Sequence, residues 1–140
     1  MSSGLSHVTL MVRDLDRMRT ILEAALDARL VHEGDGRART REMFLTVGEP
    51  PADTWVAIIE GEGPAHRTYD HVAFRIEDEE FDERLARLRD LGLEVEASRE
   101  RAPGEGRSIY FRDHDNHLIE LHAGTLEERL AFYGERGETA

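Results

Sequence analysis

Histidines are the residues of this chain best suited to chemistry, because it contains seven of them and no cysteine. A chain without cysteine has no disulfides, thiolate metal ligands or cysteine nucleophile. His7 and His71 each open an apolar, β-rich stretch, and Glu120 lies between Ile119 and Leu121, where a buried carboxylate needs a partner. Two imidazoles and one carboxylate form an open site suited to Mn(II), Fe(II) or Zn(II), with positions left for water and substrate.

Plainer interpretations of the same residues stand beside the metal site. A histidine in a strand is often satisfied by ordinary hydrogen bonds, and Glu120 could face the solvent. His122 lies two residues after Glu120 and could replace one of the three ligands. Spacing alone therefore leaves a metal site as one of several interpretations.

A second group of residues could bind an anion. Arg99, Arg101 and Arg129 supply guanidinium groups, and Ser108 and Tyr110 are two residues apart, so they share one face of a strand. Guanidinium forks and hydroxyl donors are what a phosphate or phosphonate prefers. The alternative is an ordinary solvated charged face.

An internal repeat organises these residues. Residues 7–14 read HVTLMVRD and residues 71–78 read HVAFRIED, so both histidines and both final aspartates are 64 positions apart. Each segment predicts a strand, and Asp14 and Asp78 then stand where a helix N-cap belongs. Helical apolar spacing follows each aspartate, which predicts a strand followed by a helix in both copies.

Both halves are predicted to be βαβββ modules of an α+β fold. The expected boundaries are module one at 4–60, a linker at 61–66, module two at 67–124 and a C-terminal helix at 125–135. Equivalent positions of two repeats tend to meet near a pseudo-twofold axis, so His7 and His71 are expected to be neighbours. A duplicated scaffold without any catalytic role would carry the same repeat, because fold alone does not decide function.

Composition limits the partners. With 30 Asp and Glu against 18 Lys and Arg, the formal net charge is −12, which argues against nucleic acid or an anionic membrane as the partner. The N-terminal residues have neither a basic flank nor a long apolar stretch, so no signal peptide is expected and the cytoplasm is the expected location.

Four segments carry a resemblance to a known family. They are residues 4–10 (GLSHVTL), 67–74 (RTYDHVAF), 104–111 (GEGRSIYF) and 115–130 (DNHLIELHAGTLEERL). On these segments the chain resembles the FosX-type fosfomycin-resistance proteins of the vicinal oxygen chelate superfamily, which also holds glyoxalases and bleomycin-resistance proteins.

The resemblance implies paired βαβββ modules that form a cupped mixed sheet, and a homodimer in which modules of different subunits pair. It implies an Mn(II) site made by His7, His71 and Glu120, and a small phosphonate epoxide as substrate. The positions that match the substrate pocket of the family are Thr9, Trp55, Tyr69, Arg99, Arg101, Ser108, Tyr110 and Arg129.

The FosX branch uses a glutamate as general base, and the matching position here is Glu42 in the segment TREMFL at residues 40–45. Residues 48–53 resemble an insertion relative to the family. The implied reaction is hydrolysis of the fosfomycin epoxide to a vicinal diol. Three alternatives remain: a thiol transferase of the same fold, an extradiol-type dioxygenase with Fe(II), and a drug-binding protein without metal.

Overall fold

The computed structural model describes residues 1–37, 40–98, 105–135 and 137. Within these residues the chain forms eight strands and three α-helices. In chain order these are β1 (His7–Val12), α1 (Leu15–Leu26), β2 (Arg29–Gly34), β3 (Glu42–Val47), β4 (Thr54–Glu60), β5 (His71–Arg75), α2 (Phe81–Asp90), β6 (Glu94–Ala97), β7 (Arg107–Arg112), β8 (Leu118–Ala123) and α3 (Leu126–Glu135).

The strands form two four-stranded mixed sheets with the same topology. The first has the order β1-β4-β3-β2 and the second the order β5-β8-β7-β6. In each sheet the first pair of strands is parallel and the other neighbours are antiparallel. The predicted α+β fold with two βαβββ modules is therefore confirmed.

The chain divides into two compact units. Unit one contains Met1–Thr68 and Asp113–His117, and unit two contains Tyr69–Arg112 and Leu118–Ala140. The segment Asp113–His117 is the turn between β7 and β8, and it is tied into unit one through Asp115. The Asp115 carboxylate accepts hydrogen bonds from the backbone N–H and the Nε–H of Arg13, at 3.2 and 2.8 Å.

The sheet of unit one has two different faces. Alternate residues of β3 and β4, such as Met43, Leu45 and Ile58, are fully buried on the face that contacts α1. The opposite face is open and carries the polar and aromatic side chains of the strands. His7, Thr9, Phe44, Glu42 and Trp55 lie on this open face.

Unit two repeats this division. Its buried face includes Ile109, Phe111 and Leu121, while Phe81 and Leu88 are the buried apolar residues of α2, which contacts this sheet. Its other face carries the residues that alternate with these apolar positions. They are His71, Ala73 and Arg75 on β5, Ser108 and Tyr110 on β7, and Leu118, Glu120 and His122 on β8.

The two predicted helix caps have different outcomes. The Asp14 carboxylate accepts a hydrogen bond from the backbone N–H of Arg17 at 3.0 Å, so the predicted cap of α1 is confirmed. The predicted cap at Asp78 is wrong, because a 3-10 turn at Asp78–Glu80 precedes α2 and Glu80 occupies the cap position. The Asp78 carboxylate instead accepts a hydrogen bond from the Arg107 guanidinium at 2.8 Å.

No helix in the described ranges is both long and apolar enough to cross a membrane.

The two aspartates give a matched test of capping. We expect Asp14→Ala to lower the free energy of unfolding by about 1 kcal/mol, because a first-turn N–H of α1 loses its acceptor. Asp14→Ser should restore most of this loss, since a serine hydroxyl also caps. Urea denaturation at one fixed protein concentration measures both effects.

Asp78 is the control. Asp78→Ala removes an exposed ion pair and should cost less than Asp14→Ala, and Asp78→Ser should recover nothing. Recovery by serine at position 78 and not at position 14 would contradict the assignment of the caps.

Candidate metal and phosphonate site

The imidazole of His71 has one nitrogen committed by the backbone. Its Nδ1 lies 2.7 Å from the carbonyl oxygen of Tyr69. A carbonyl oxygen only accepts hydrogen bonds, so Nδ1 carries the hydrogen and donates it. In the neutral ring Nε2 is then left with a lone pair. A backbone carbonyl on one ring nitrogen is the usual way in which a metal-binding histidine is oriented.

The Glu120 carboxylate faces the Nε2 atom of His71. Its Oε1 lies 3.0 Å from Nε2 of His71, and its Oε2 accepts a hydrogen bond from the Ser108 hydroxyl at 2.7 Å. Only 6% of Glu120 is exposed, so water does little to stabilise its charge. A carboxylate oxygen and an imidazole lone pair at this distance need a cation between them, either a proton or a metal ion.

The donors around Glu120 keep it ionised. Burial alone raises the pKa of the Glu120 carboxyl, but hydrogen bonds from Ser108 and Tyr110 and the imidazoles of His122 and His71 outweigh it, so this pKa lies below its usual value. Burial first, and then a hydrogen bond with Tyr69, raises the pKa of the Tyr110 hydroxyl well above its usual value. Tyr110 therefore remains a donor at neutral pH.

A cavity of about 300 Å³ lies beside Glu120 in unit two. Two arginines, Arg75 and Arg129, line it, and α3 supplies part of its wall. The other lining residues are Ala73, Phe74, Glu120, His122, Gly124, Thr125 and Leu126. A pocket that joins guanidinium groups to a carboxylate can take an anion next to a metal ion.

Several predicted site residues are thus brought together within unit two. The hydroxyl oxygens of Tyr69 and Tyr110 lie 3.4 Å apart, and the rings of both contact that of His71. Ser108 contacts Glu120, and Arg129 lines the cavity beside it. The predicted positions Arg99 and Arg101 lie outside the described residues.

Arg75 lines the cavity but is not among the site residues predicted from the sequence. Strand alternation could have identified it, because Arg75 is four residues after His71 and therefore lies on the same face of β5.

The remaining predicted residues lie on the open face of unit one. His7 stacks on Trp55 with ring centroids 4.5 Å apart, and its Nδ1 lies 3.0 Å from the Ser6 hydroxyl. Thr9 follows two residues later on the same face of β1. In the described residues no group of three His, Asp or Glu side chains is arranged as a metal cluster. The predicted proximity of His7 and His71 stays a prediction.

Glu42 also lies on the open face of unit one. Its Oε1 lies 3.3 Å from Nε2 of His32 on the neighbouring strand β2. Gly34 is opposite Glu42 in the register, and a β-carbon at position 34 would come within 3.0 Å of the Glu42 Cγ atom. Glycine at this position leaves room for the glutamate side chain to lie across β2.

Comparison with known proteins gives the family. Residues 4–121 match the model of the Glyoxalase/Bleomycin resistance protein/Dioxygenase superfamily. The fosfomycin resistance protein FosX of Mesorhizobium japonicum is 52% identical over 94% of this chain and 93% of its own length. That of Listeria innocua is 49% identical over 95% of this chain and 98% of its own length. The chain belongs to this superfamily and to its FosX group.

A related group is more distant. The metallothiol transferase FosB of Shouchella clausii is 34% identical to this chain, over 95% of this chain and 88% of its own length.

Solved structures agree with this placement. FosX from Listeria monocytogenes complexed with Mn(II) and sulfate superposes with a TM-score of 0.80, at 47% identity, and the match covers 95% of this chain and 99% of that one. A Glu→Gln mutant of the same protein, complexed with Mn(II) and 1S,2S-dihydroxypropylphosphonic acid, gives a TM-score of 0.81 at 46% identity with the same coverage.

The hydrogen bond from Ser108 to Glu120 predicts a change in titration. We expect Ser108→Ala to raise the pKa of the Glu120 carboxyl, because the ionised form loses a donor. Carbon-13 NMR of the side-chain carboxyl in metal-free protein measures this pKa directly, and Ser3→Ala at an exposed position near the N-terminus serves as the control.

The free energy of unfolding should depend on pH in the same direction as the Glu120 pKa shift. A depressed pKa in the folded state stabilises the protein above the unfolded pKa near 4.5, and this contribution is lost as the pH falls through the folded value. The Ser108→Ala protein should lose it at higher pH than wild type. An unchanged Glu120 pKa in this variant would show that the hydrogen bond does not hold the charge.

Proposed function

We propose that this chain is an Mn(II)-dependent hydrolase that opens the epoxide of fosfomycin to a vicinal diol and so confers resistance to that antibiotic. The observation that carries the proposal is the facing pair of His71 Nε2 and Glu120 Oε1, 3.0 Å apart, with the other histidine nitrogen already committed. FosX relatives near 50% identity support the substrate, and FosX structures containing Mn(II) support the metal.

His7, His71 and Glu120 would hold the metal ion. The donor set fits the ion, because two imidazoles and a carboxylate without thiolates suit Mn(II) and leave positions open. Mn(II), when bound, supplies Lewis acidity toward the oxirane oxygen. The chain contributes the fixed orientation of the ligands, through the Tyr69 carbonyl on His71 and the Ser108 hydroxyl on Glu120.

Arginines of unit two would hold the phosphonate. Arg75 and Arg129 line the cavity beside Glu120 and can neutralise a small dianion that the acidic surface of the chain would otherwise repel. Tyr110 stays protonated, and its hydroxyl donates to the Glu120 carboxylate at the edge of this pocket. Fixing the phosphonate orients the neighbouring carbon for attack by water. We keep Thr9, Trp55, Tyr69, Arg99 and Arg101 as proposed substrate contacts.

Glu42 would take the proton from the attacking water. Water is a poor nucleophile at neutral pH, so a hydrolase needs a positioned base that a thiol transferase can omit. The Glu42 carboxylate is half-exposed, which leaves it accessible to water, and its contact with His32 limits its rotation.

We further propose that the enzyme works in the cytoplasm as a homodimer in which each active site draws on two copies. His7, Thr9, Trp55 and Glu42 belong to unit one, whereas His71, Glu120 and Arg129 belong to unit two. One copy would supply the first set and the other copy the second set.

Removal of the carboxylate tests the metal site. Glu120→Ala should weaken Mn(II) binding by about 100-fold or more and abolish activity, because two histidines alone hold a labile ion poorly. Titration calorimetry measures the affinity, and Glu83→Ala on the exposed side of α2 should bind as wild type does. Undiminished Mn(II) affinity in the Glu120 variant would reject the assignment.

The reaction itself is tested with purified protein, Mn(II) and fosfomycin, followed by phosphorus-31 NMR. We expect the diol to form without any thiol, and Glu42→Gln to slow its formation by about 100-fold or more while substrate still binds. The matched control is Glu33→Gln, since Glu33 is an exposed glutamate of β2 whose register partner Met43 is buried on the other face.

Two results would overturn parts of this account. Full thiol-free hydrolysis by the Glu42→Gln enzyme would show that the base is another residue. A wild-type enzyme that forms only an adduct with added thiol would be a transferase.

Mixing two inactive variants tests the shared site. A dimer of His7→Ala with Glu120→Ala subunits has one site with both lesions and one intact site, so activity should return after subunit exchange. The expected recovery is about a quarter of wild-type activity, since half of the dimers are mixed and each has one working site. Absence of recovery, with exchange shown by mass spectrometry, would place each site within one copy.

A further inference from the structure

His122 has no role in the function proposed above, yet it touches the residue that orients Glu120. It lies two residues after Glu120 on β8 and opposite Ser108 on β7. Its Nδ1 is 2.8 Å from the Ser108 oxygen, and that oxygen is 2.7 Å from Oε2 of Glu120. Ser108 is 1% exposed, so the two contacts are sheltered from water.

Counting hydrogens fixes the direction of both hydrogen bonds. An ionised carboxylate only accepts, so the contact between Ser108 and Glu120 uses the single hydrogen of the serine hydroxyl. The serine oxygen can then only accept from His122, and the hydrogen in that contact must come from Nδ1. The chain of donors therefore runs from His122 through Ser108 to Glu120.

We propose that His122 is a positioning residue, whose Nδ1–H fixes the Ser108 hydroxyl and thereby holds the Glu120 carboxylate with Oε1 directed at His71. The proposal rests on the proposed function, because it gives His122 a purpose only if Glu120 is a metal ligand.

Two glycines shape the place of the imidazole. A β-carbon at Gly106 or at Gly124 would come within 3.2 Å of Nε2 of His122. At Gly106 it would also lie 2.7 Å from the carbonyl oxygen of Ala123, and the φ of +80° favours glycine at this position. Glycine at both positions leaves room for the ring edge while Nδ1 remains against Ser108.

The test compares His122→Phe with His122→Asn. Phenylalanine removes the donor, and we expect Mn(II) affinity measured by calorimetry to fall roughly 10- to 100-fold. Asparagine places an amide nitrogen near the position of Nδ1 and should restore most of the affinity.

Nitrogen-15 NMR of histidine side chains in the Mg(II)-loaded wild-type protein tests the hydrogen bond without activity. The expected spectrum shows the hydrogen of His122 on Nδ1. A lone pair on Nδ1 would overturn the proposal, and so would unchanged Mn(II) affinity in the phenylalanine variant. If His122→Phe does not fold, the spectrum of the wild-type protein still decides. A lone pair on Nδ1 of His122 rejects the proposal, whatever Mn(II) affinity His122→Asn shows.

The proposed function fails by a different result. If Glu120→Ala retains Mn(II), the metal assignment is wrong, whereas the NMR spectrum still decides the direction of the hydrogen bond. If Glu120→Ala loses Mn(II) and His122→Phe does not, only the role of His122 is wrong.

Discussion

One buried charge constrains the rest of the site. Glu120 is almost fully enclosed, and a carboxylate in such surroundings is costly unless hydrogen bonds and positive charge replace the lost water. Ser108 satisfies one of its oxygens, while the other faces a histidine nitrogen that has a lone pair to offer. The requirement for a cation at that point links the packing of β5, β7 and β8 to the chemistry of the enzyme, because the three strands must stay in register for these atoms to meet.

The two sheets share one strand order but carry different polar side chains. Both sheets have the same strand order, and His7 and His71 occupy the same place at the start of the first strand. Beside Thr9 the neighbouring strand carries Ala57, whereas beside the equivalent Ala73 it carries Glu120. The repeat therefore accounts for the two histidines, and the difference between Ala57 and Glu120 leaves a single carboxylate. The open face of unit one carries an aromatic row with a glutamate, and that of unit two carries charged and hydroxyl groups.

Much of the fold was predictable from the sequence, because strand alternation and helical spacing depend only on residues that are close together along the chain. They predicted both modules, the Asp14 cap, and the shared face of Ser108 and Tyr110. Contacts across strands were not predictable. Simple alternation puts Leu30 and His32 on one face of β2, but an irregularity between them pairs Leu30 with Leu45 and His32 with Phe44, which brings His32 to Glu42. The pairing of Asp78 with Arg107 likewise depends on a partner 29 residues away, which no local pattern reveals.

Anomalous diffraction from a crystal of the Mn(II)-loaded protein shows whether His71 and Glu120 hold the catalytic metal ion. Data collected on both sides of the manganese absorption edge locate the ion without reference to any assumed ligand. We predict one strong anomalous peak per active site, within coordination distance of both His71 Nε2 and Glu120 Oε1. A peak elsewhere, or no anomalous density between these two atoms in protein saturated with Mn(II), would show that His71 and Glu120 do not hold the ion.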